Sequence, residues 1–289
     1  MEDEKNLKVK TLSGLKTLKG RRQISKLLKR IGFYGKIWII MSKNSFLVML
    51  SQRKLIFLFL LGKLLRFFFF ASFLYFLLKS VNTLAGYSLN QTIFFFLTFN
   101  IIDIIAQFIF REVYRFRPLV VSGDLDLILA KPISALFRVL MGGSDLIDLL
   151  TIPPIIFAAW YVGKLLDPSP IQLLFYILLV INGLLIAAAF HIAVLAFGII
   201  TLEVDHTIMI YRDITNLGRF PIDIYKEPLK GILTYLIPVG IMITLPVKAF
   251  IGLVTIKGVL LSFLLGFLVL TISLKFWNYA LKSYTSASS

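Results

Sequence analysis

The segment Thr92–Phe110, TIFFFLTFNIIDIIAQFIF, is an almost unbroken hydrophobic run whose only charged side chain is Asp103. At about 1.5 Å per residue, roughly 20 helical residues cross the ~30 Å hydrocarbon core of a bilayer, so this run is long enough to span it. The whole chain has 289 residues, of which 58% are hydrophobic and only 16% are charged. Because this hydrophobic fraction is higher than the core of a soluble protein requires, the sequence predicts an all-α integral membrane protein.

Further apolar runs on both sides of this segment define the predicted organisation. We predict one transmembrane domain, residues 55–282, with six spans at about 55–78, 92–111, 140–161, 171–200, 202–217 and 254–276. Residues 1–24 are predicted to be a basic tail and residues 25–52 an amphipathic helix at the membrane interface. The fifth span is unusually polar, so its charged side chains need to face helices, a dimer seam or water.

Positive charge is concentrated near the N-terminus. Residues 1–54 contain 14 lysines and arginines against three acidic residues, which is +11 of the formal net charge of +16. Because basic segments remain in the cytoplasm, we predict cytoplasmic N- and C-termini in a plasma membrane, and the Lys, Ile and Phe-rich composition is typical of bacteria. The charge favours contact with membrane lipids over nucleic acid, since no nucleic-acid-binding motif accompanies it.

A polar segment, SGDLDLILAKPIS at Ser122–Ser134, interrupts the hydrophobic sequence between the second and third spans. Basic residues precede it, at Arg111, Arg115 and Arg117, and occur at its end and after it, at Lys131 and Arg138. The loop 112–134 is therefore predicted to lie in the cytoplasm.

Several polar side chains fall inside the predicted spans. Lys63 and Arg66 of the first span lie at a depth comparable with Asp145 and Asp148 of the third, so we predict a cross-helix ion pair between these spans. The other candidates for helix pairing or a transport path are Asn100, Asp103, His191, Asp205, Arg212 and Asp213. His191 lies in a long apolar run, which favours a hydrogen-bonded core histidine over a ligand.

The sequence offers little for catalysis. It has no GxxxxGK[ST], HExxH or GxSxG motif, only two histidines and no cysteine, so no catalytic or metal-binding residue is assigned. Two alternatives remain open at this stage. The pairs Asp124/Asp126 and Asp145/Asp148 allow a metal-dependent lipid or isoprenoid transferase, and Asp103 allows an ion-driven secondary transporter.

Two motifs resemble one known family. The loop GDLDLILAKPIS resembles the cytoplasmic loop between the second and third spans of ABC-2 type transporter permeases, through Gly123, Asp124, Leu125, Asp126, Leu127, Leu129, Lys131 and Pro132. About 90 residues later, GRFPIDIY at Gly218–Tyr225, followed by YLIPVGIMITLPVKAFIG at Tyr235–Gly252, is similar to the segment after the fifth span of ABC-2 family transporter proteins. The resemblance covers nearly the whole chain from about residue 25.

This resemblance implies the permease subunit of an ATP-binding cassette exporter without catalytic residues of its own. The implied partners are two copies of a cytoplasmic ATPase and a second permease subunit, identical or paralogous. ATP and Mg²⁺ are then bound by the ATPase, and this chain binds no cofactor. The Phe-rich spans suit an amphipathic or lipophilic cargo.

The resemblance also assigns two local structures. A coupling helix beginning near Arg117 would present Leu125, Leu127 and Leu129 to the ATPase, and Pro132 would mark where this helix becomes the third span. Residues 218–250 would form short re-entrant or extracellular helices, because broken backbone at membrane depth needs protein or water around it. The motif residues there are Gly218, Pro221, Asp223, Tyr225, Pro238 and Pro246.

Overall fold

The computed structural model describes residues 2–285, with side chains described from residue 25 onward. The chain is all-α, as predicted: helices account for 84% of it, and no strand occurs in the described part. The longer helices are α1 (Glu2–Leu50), α2 (Arg53–Val81), α3 (Leu89–Phe110), α7 (Leu146–Leu165), α8 (Pro170–Thr201), α9 (Val204–Asn216) and α12 (Ile256–Lys282). The shorter ones are α4 (Phe116–Val121), α5 (Asp124–Leu129), α6 (Ala135–Met141), α10 (Leu229–Gly231) and α11 (Leu245–Phe250).

Five helical segments of the described chain are long and apolar enough to cross a membrane. They are α2, α3 together with its continuation to Val121, α7, α8 and α12. Two shorter apolar helical segments, Leu229–Leu236 and Gly240–Phe250, follow one another with a bend of 76° between them. Taken together as one broken span, they would make a sixth crossing. We call residues 229–250 the bent hairpin.

Helix α8 lies at the centre of the bundle and packs against α12 and the bent hairpin. The Asn182 side chain donates from Nδ2 to the Ser262 Oγ atom of α12 at 2.8 Å and to the Ser262 carbonyl at 3.0 Å. On another side, a Cβ atom at Gly183 would lie only 2.6 Å from the Met242 carbonyl oxygen. Small and polar side chains thus let α8 approach both neighbours closely, which is typical of membrane helix packing.

The two ends of the bundle carry different connecting segments. We call the end that carries residues 111–145 the basic face, and the end that carries residues 82–88 and 166–169 the opposite face. Helix α2 runs between the faces and leaves most of its apolar residues exposed; it contacts α3 through aromatic pairs such as Phe70 and Phe96, whose ring centroids are 4.6 Å apart.

Residues 202–217, the predicted fifth span, differ from the other spans. Helix α9 has 13 residues, or about 20 Å of helix, and is not among the five apolar helices. Near its start Asp205 contacts Arg117 on the basic face at 3.8 Å, whereas Asp223, a few residues after its end, accepts from the Tyr87 hydroxyl on the opposite face at 2.9 Å. The chain therefore passes between the two faces as a short amphipathic helix extended by 3₁₀ turns at Leu217–Arg219 and Ile222–Ile224.

Two other predicted boundaries also differ from the structure. The apolar helix placed at 140–161 begins at Leu146, because the chain is non-helical at 143–145 and Asp145 caps α7 by accepting from the Ile147 N–H at 2.8 Å. The residues placed in a basic tail, 1–24, continue the same helix α1 from Glu2. In α1, Tyr34 and Trp38 contact the basic face, whereas Leu27, Ile31 and Val48 are exposed.

Candidate functional site

The loop between α3 and α7 folds into a compact group of short helices on the basic face. A 3₁₀ turn, Arg111–Arg115, leads into α4, and α5 follows after Gly123. Gly123 has a φ of 79°, a left-handed conformation that disfavours side chains with a Cβ atom. This residue therefore permits the sharp turn that separates α4 from α5, where one continuous coupling helix was predicted.

The leucines of α5 point in two directions. Leu125 is fully buried and packs with Ile128 into the main core, because residues three apart share one helix face. Leu127 is 63% exposed and Leu129 is 39% exposed, and Val121 at the end of α4 is 56% exposed. The prediction that all three leucines face a partner therefore needs correction at Leu125, which holds α5 onto the bundle instead.

Polar residues surround this exposed apolar patch. Asp124, Lys131 and Pro132 are exposed. Pro132 does not mark the start of α7; the chain turns there, and Ser134 caps α6 by accepting from the Phe137 N–H at 3.3 Å. We call Val121, Asp124, Leu127, Leu129, Lys131 and Pro132 the loop patch.

Tyr34 and Tyr284 contact the loop from distant parts of the chain. Tyr34 of α1 accepts from the Ser134 N–H at 3.2 Å, and its ring lies 4.7 Å from the Phe137 ring. Asp126 interacts with Tyr284, which follows α12; burial and this carboxylate raise the pKa of the phenol. The loop therefore contacts α1 and the residues that follow α12, so a displacement of the loop would act on both helices.

A buried carboxylate supports the base of the loop. Glu112 accepts from Arg138 of α6 at 2.7 Å and lies 3.6 Å from Arg115. Arg117 of α4 contacts Asp205 of α9 at 3.8 Å. From the sequence, Arg115 and Arg138 indicate only which side of the membrane the loop is on, and Arg117 also marks the start of the predicted coupling helix. Their acidic partners become neighbours only through the fold.

A second polar site lies inside the bundle, beside α2. Lys63 of α2 forms an ion pair with the buried Asp148 of α7. Asp145 contacts Arg111 at 3.1 Å, so the partner of this carboxylate is Arg111 rather than Arg66 of the first span. The structure thus joins the first and third spans through Lys63 and Asp148.

These residues border a cleft between α2, α3, α7 and α9. A cavity of about 450 Å³ is lined by Lys63, Arg66, Arg111, Asp148 and Arg212 together with Arg115 and Asp145. A smaller cavity of about 80 Å³ shares Lys63 and Arg66 and extends to Asn100 and Arg219 between phenylalanines. We call the two cavities together the basic cleft.

The remaining intramembrane candidates lie in three different environments. Asp103 accepts from Gln107 at 2.8 Å, one turn further along α3. His191 is buried; its Nδ1 atom lies 2.7 Å from the Ala187 carbonyl oxygen, and its ring packs against Tyr211 at 4.9 Å. Asp213 is exposed on α9 and is not among the residues that line the cleft.

On the opposite face, Asp223 joins three segments of the chain. Its carboxylate contacts Lys248 at 2.7 Å and Lys230 at 3.0 Å and accepts from the Tyr87 hydroxyl. Burial acts to raise the pKa of Asp223, but the hydrogen bonds from Lys248, Lys230 and Tyr87 outweigh it and lower this pKa to about 2. Burial, reinforced by Asp223, raises the pKa of Tyr87 above its usual range.

The second sequence motif packs against the bent hairpin. Gly218 lies where a Cβ atom would clash with Ile243, and the Ile222 N–H, next to Pro221, donates to Thr244 at 3.2 Å. The Tyr225 hydroxyl donates to the Leu217 carbonyl at 2.9 Å. Pro238 lies at the bend between the two helical segments of the bent hairpin, where no helical N–H is needed. Pro246 lies in the first turn of α11, where proline is favoured.

No group of three His, Asp or Glu side chains in the described residues is close enough to hold a metal ion. The functional residues that sequence analysis missed are Arg219, Tyr87, Lys230 and Lys248. Arg219 belongs to the quoted GRFPIDIY motif, and its charge inside an apolar region was the available signal.

The fold and these sites define a multi-span helical membrane protein with a structured loop on its basic face and a charged cleft within the bundle. The family model described as ABC-2 family transporter protein matches residues 60–288, so the chain belongs to this family. It is therefore the permease, the membrane component, of an ABC-2 transporter. Neither the curated proteins nor the solved structures gave a match.

Proposed function

We propose that this permease works as the membrane subunit of an ATP-binding cassette exporter and receives mechanical work from a separate cytoplasmic ATPase through the loop patch. The observation that carries the proposal is the arrangement of α5: Leu125 anchors the helix inward, while Leu127 and Leu129 project outward between Asp124 and Lys131. Exposed apolar anchors within a charged rim are typical of protein interfaces.

The membrane topology supports this assignment of the loop patch. We propose that the basic face is cytoplasmic, since Arg111, Arg115, Arg117, Lys131 and Arg138 lie there. Both chain ends then lie in the cytoplasm of a bacterial cell, and the opposite face is outside. The bent hairpin is re-entrant in this topology, because its outer ends both reach Asp223 on the opposite face, and residues 204–219 make the fifth crossing.

The contacts of the loop suggest how ATPase movement would reach the membrane. In the chain, α5 follows α3 and α4 and precedes α6 and α7. A force on Leu127 therefore tilts α3 and α7 together. Two ATPase subunits and a second permease, identical or paralogous, complete the proposed transporter. The ATPase supplies ATP and Mg²⁺ binding, and the relative affinity of its ATP-bound form for two permease conformations drives the exchange between them.

The experiment is a co-purification of the full-length permease with its ABC ATPase. We expect Leu127→Asp to abolish ATPase capture, because a carboxylate would be buried against an apolar surface. The matched control is Leu253→Asp, since Leu253 is equally exposed, at 63%, but lies between α11 and α12 near the opposite face. Equal ATPase capture by both variants would contradict the proposal.

A further inference from the structure

The basic cleft contains more cationic than anionic side chains. Lys63 is paired with Asp148, and Arg111 is paired with Asp145. Arg66, Arg212 and Arg219 have no carboxylate within 4.0 Å among the described side chains. Asp103, whose charge acts on Arg219, accepts a hydrogen bond from Gln107.

The three arginines come from different parts of the chain but share one space. Arg66 and Arg212 line the larger cavity, and Arg66 and Arg219 line the smaller one. Arg66 and Arg212 lie close enough to Arg219 to repel its charge, and Asp103 offsets part of this repulsion. Three guanidinium groups without a carboxylate partner repel one another, and a bound anion would relieve this repulsion.

Aromatic side chains hold the arginines without neutralising them. The Arg219 guanidinium lies 5.6 Å from the centre of the Phe70 ring and 5.5 Å from that of Phe99. Arg212 lies 5.9 Å from the Tyr114 ring. Cation–π contacts orient a guanidinium but leave its N–H groups able to donate hydrogen bonds to an acidic group.

The smaller cavity of the cleft is lined mainly by apolar side chains, with Asn100 and Thr151 among them. Phe67, Phe70, Phe96 and Phe99 line the smaller cavity, which adjoins the arginines directly. A ligand that fits both regions has an acidic end and a hydrophobic end. We propose that the basic cleft binds an anionic amphiphile, with its acidic group on Arg66, Arg212 and Arg219 and its apolar part against these phenylalanines.

This inference depends on the proposed exporter function in one respect, namely that the bound amphiphile is the transported substrate. The acidic group, an alkyl phosphate in its simplest form, could belong to an anionic membrane lipid or to an amphiphile that enters from the cytoplasm. The site itself is a property of the permease alone and is measured without the ATPase. ATPase capture without amphiphile binding would overturn this inference alone, and binding without ATPase capture would overturn the exporter proposal alone.

The test measures binding of dodecyl phosphate to the full-length permease in nanodiscs of neutral lipid. We expect Arg66→Gln and Arg212→Gln each to weaken binding about tenfold, because each removes a charge-assisted hydrogen bond. Both arginines are exposed, so these variants keep the core intact. Lys79→Gln, an exposed position near the other end of α2, is the control and should bind like the wild type.

Two further arms identify the ligand. Dodecyltrimethylammonium, which has the same tail and the opposite charge, should not compete with dodecyl phosphate. If added phosphatidylglycerol competes with dodecyl phosphate, the site exists and its natural ligand is a membrane lipid. If dodecyl phosphate binds and phosphatidylglycerol does not compete, the site exists and its ligand is an amphiphile from the cytoplasm. The inference is overturned if the cationic amphiphile binds equally well or if both arginine variants bind dodecyl phosphate normally.

Discussion

Lys230 and Lys248 bind different oxygens of the same carboxylate, Asp223, from the two limbs of the bent hairpin. Lys230 lies at the start of the first limb and Lys248 near the end of the second, so this carboxylate draws the outer ends of the hairpin together. The Tyr87 hydroxyl adds the turn between α2 and α3 to the same cluster. Asp223 therefore links both limbs of the bent hairpin to the turn between α2 and α3.

The first prediction concerns the pH dependence of this cluster. The pKa of Asp223 is lowered to about 2, so its stabilising contribution is present above the unfolded-state pKa of about 4 and is lost as the pH falls toward 2. We expect Asp223→Asn to lower the thermal unfolding midpoint at neutral pH, and the difference from the wild type to shrink between about pH 4 and pH 2.

The control for this prediction is Asp167→Asn, which changes an exposed carboxylate on the same face. It should leave the midpoint unchanged throughout the range. A difference between the wild type and Asp223→Asn that stayed constant down to pH 2 would show that the carboxylate charge does not contribute.

The second prediction concerns the ion pair between α2 and α7. Lys63→Met leaves the Asp148 carboxylate buried without its cation and should destabilise the protein by about 3 kcal/mol, measured by thermal unfolding in micelles. The double variant Lys63→Met/Asp148→Leu should recover most of this loss, because no unpaired charge remains. Lys79→Met, an exposed position on the same helix, should have little effect.

Additive effects in the double variant would contradict a direct interaction between Lys63 and Asp148. Arg66 offers a further comparison, since it has no carboxylate partner in the described structure. Arg66→Met should therefore cost much less stability than Lys63→Met.

The third prediction tests the close approach of α8 to the bent hairpin. A methyl group at Gly183 would meet the Met242 backbone carbonyl at 2.6 Å, and a backbone atom in a packed hairpin cannot move aside easily. Gly183→Ala should therefore destabilise the protein by about 1–3 kcal/mol. Gly62→Ala on α2, where nothing lies within 4 Å, should be neutral or slightly stabilising because alanine favours helix. Equal effects at the two positions would contradict this packing.

The sequence predicts the membrane class and the approximate apolar helices well, because hydrophobic runs long enough to span a bilayer are a local signal. The sequence does not predict how α9 contributes to the fold. This polar helix has only 13 residues, and it passes between the two faces because 3₁₀ turns extend it and neighbouring helices surround it. The polar residues at 202–217 were the visible sign of this difference.

The candidate sites show the same division. The loop patch could be located from its flanking charges and proline, but Leu125 and Leu127 were assigned to one surface, although helical spacing places Leu125 with Ile128 instead. The pairing of Asp145 with Arg111, and the grouping of Arg66 with Arg212 and Arg219, depend on tertiary packing between distant segments. No local pattern identifies such partners.

The most direct test of the central proposal uses the absence of cysteine from the sequence, since a single introduced cysteine is then a unique attachment point. A photoactivatable cross-linker on Leu127→Cys should form a covalent product with the cytoplasmic ATPase in membranes, with a yield that changes when ATP is added. The same cross-linker on Leu253→Cys should form none. Cross-linking from Leu253→Cys but not from Leu127→Cys would contradict the proposed coupling through the loop patch.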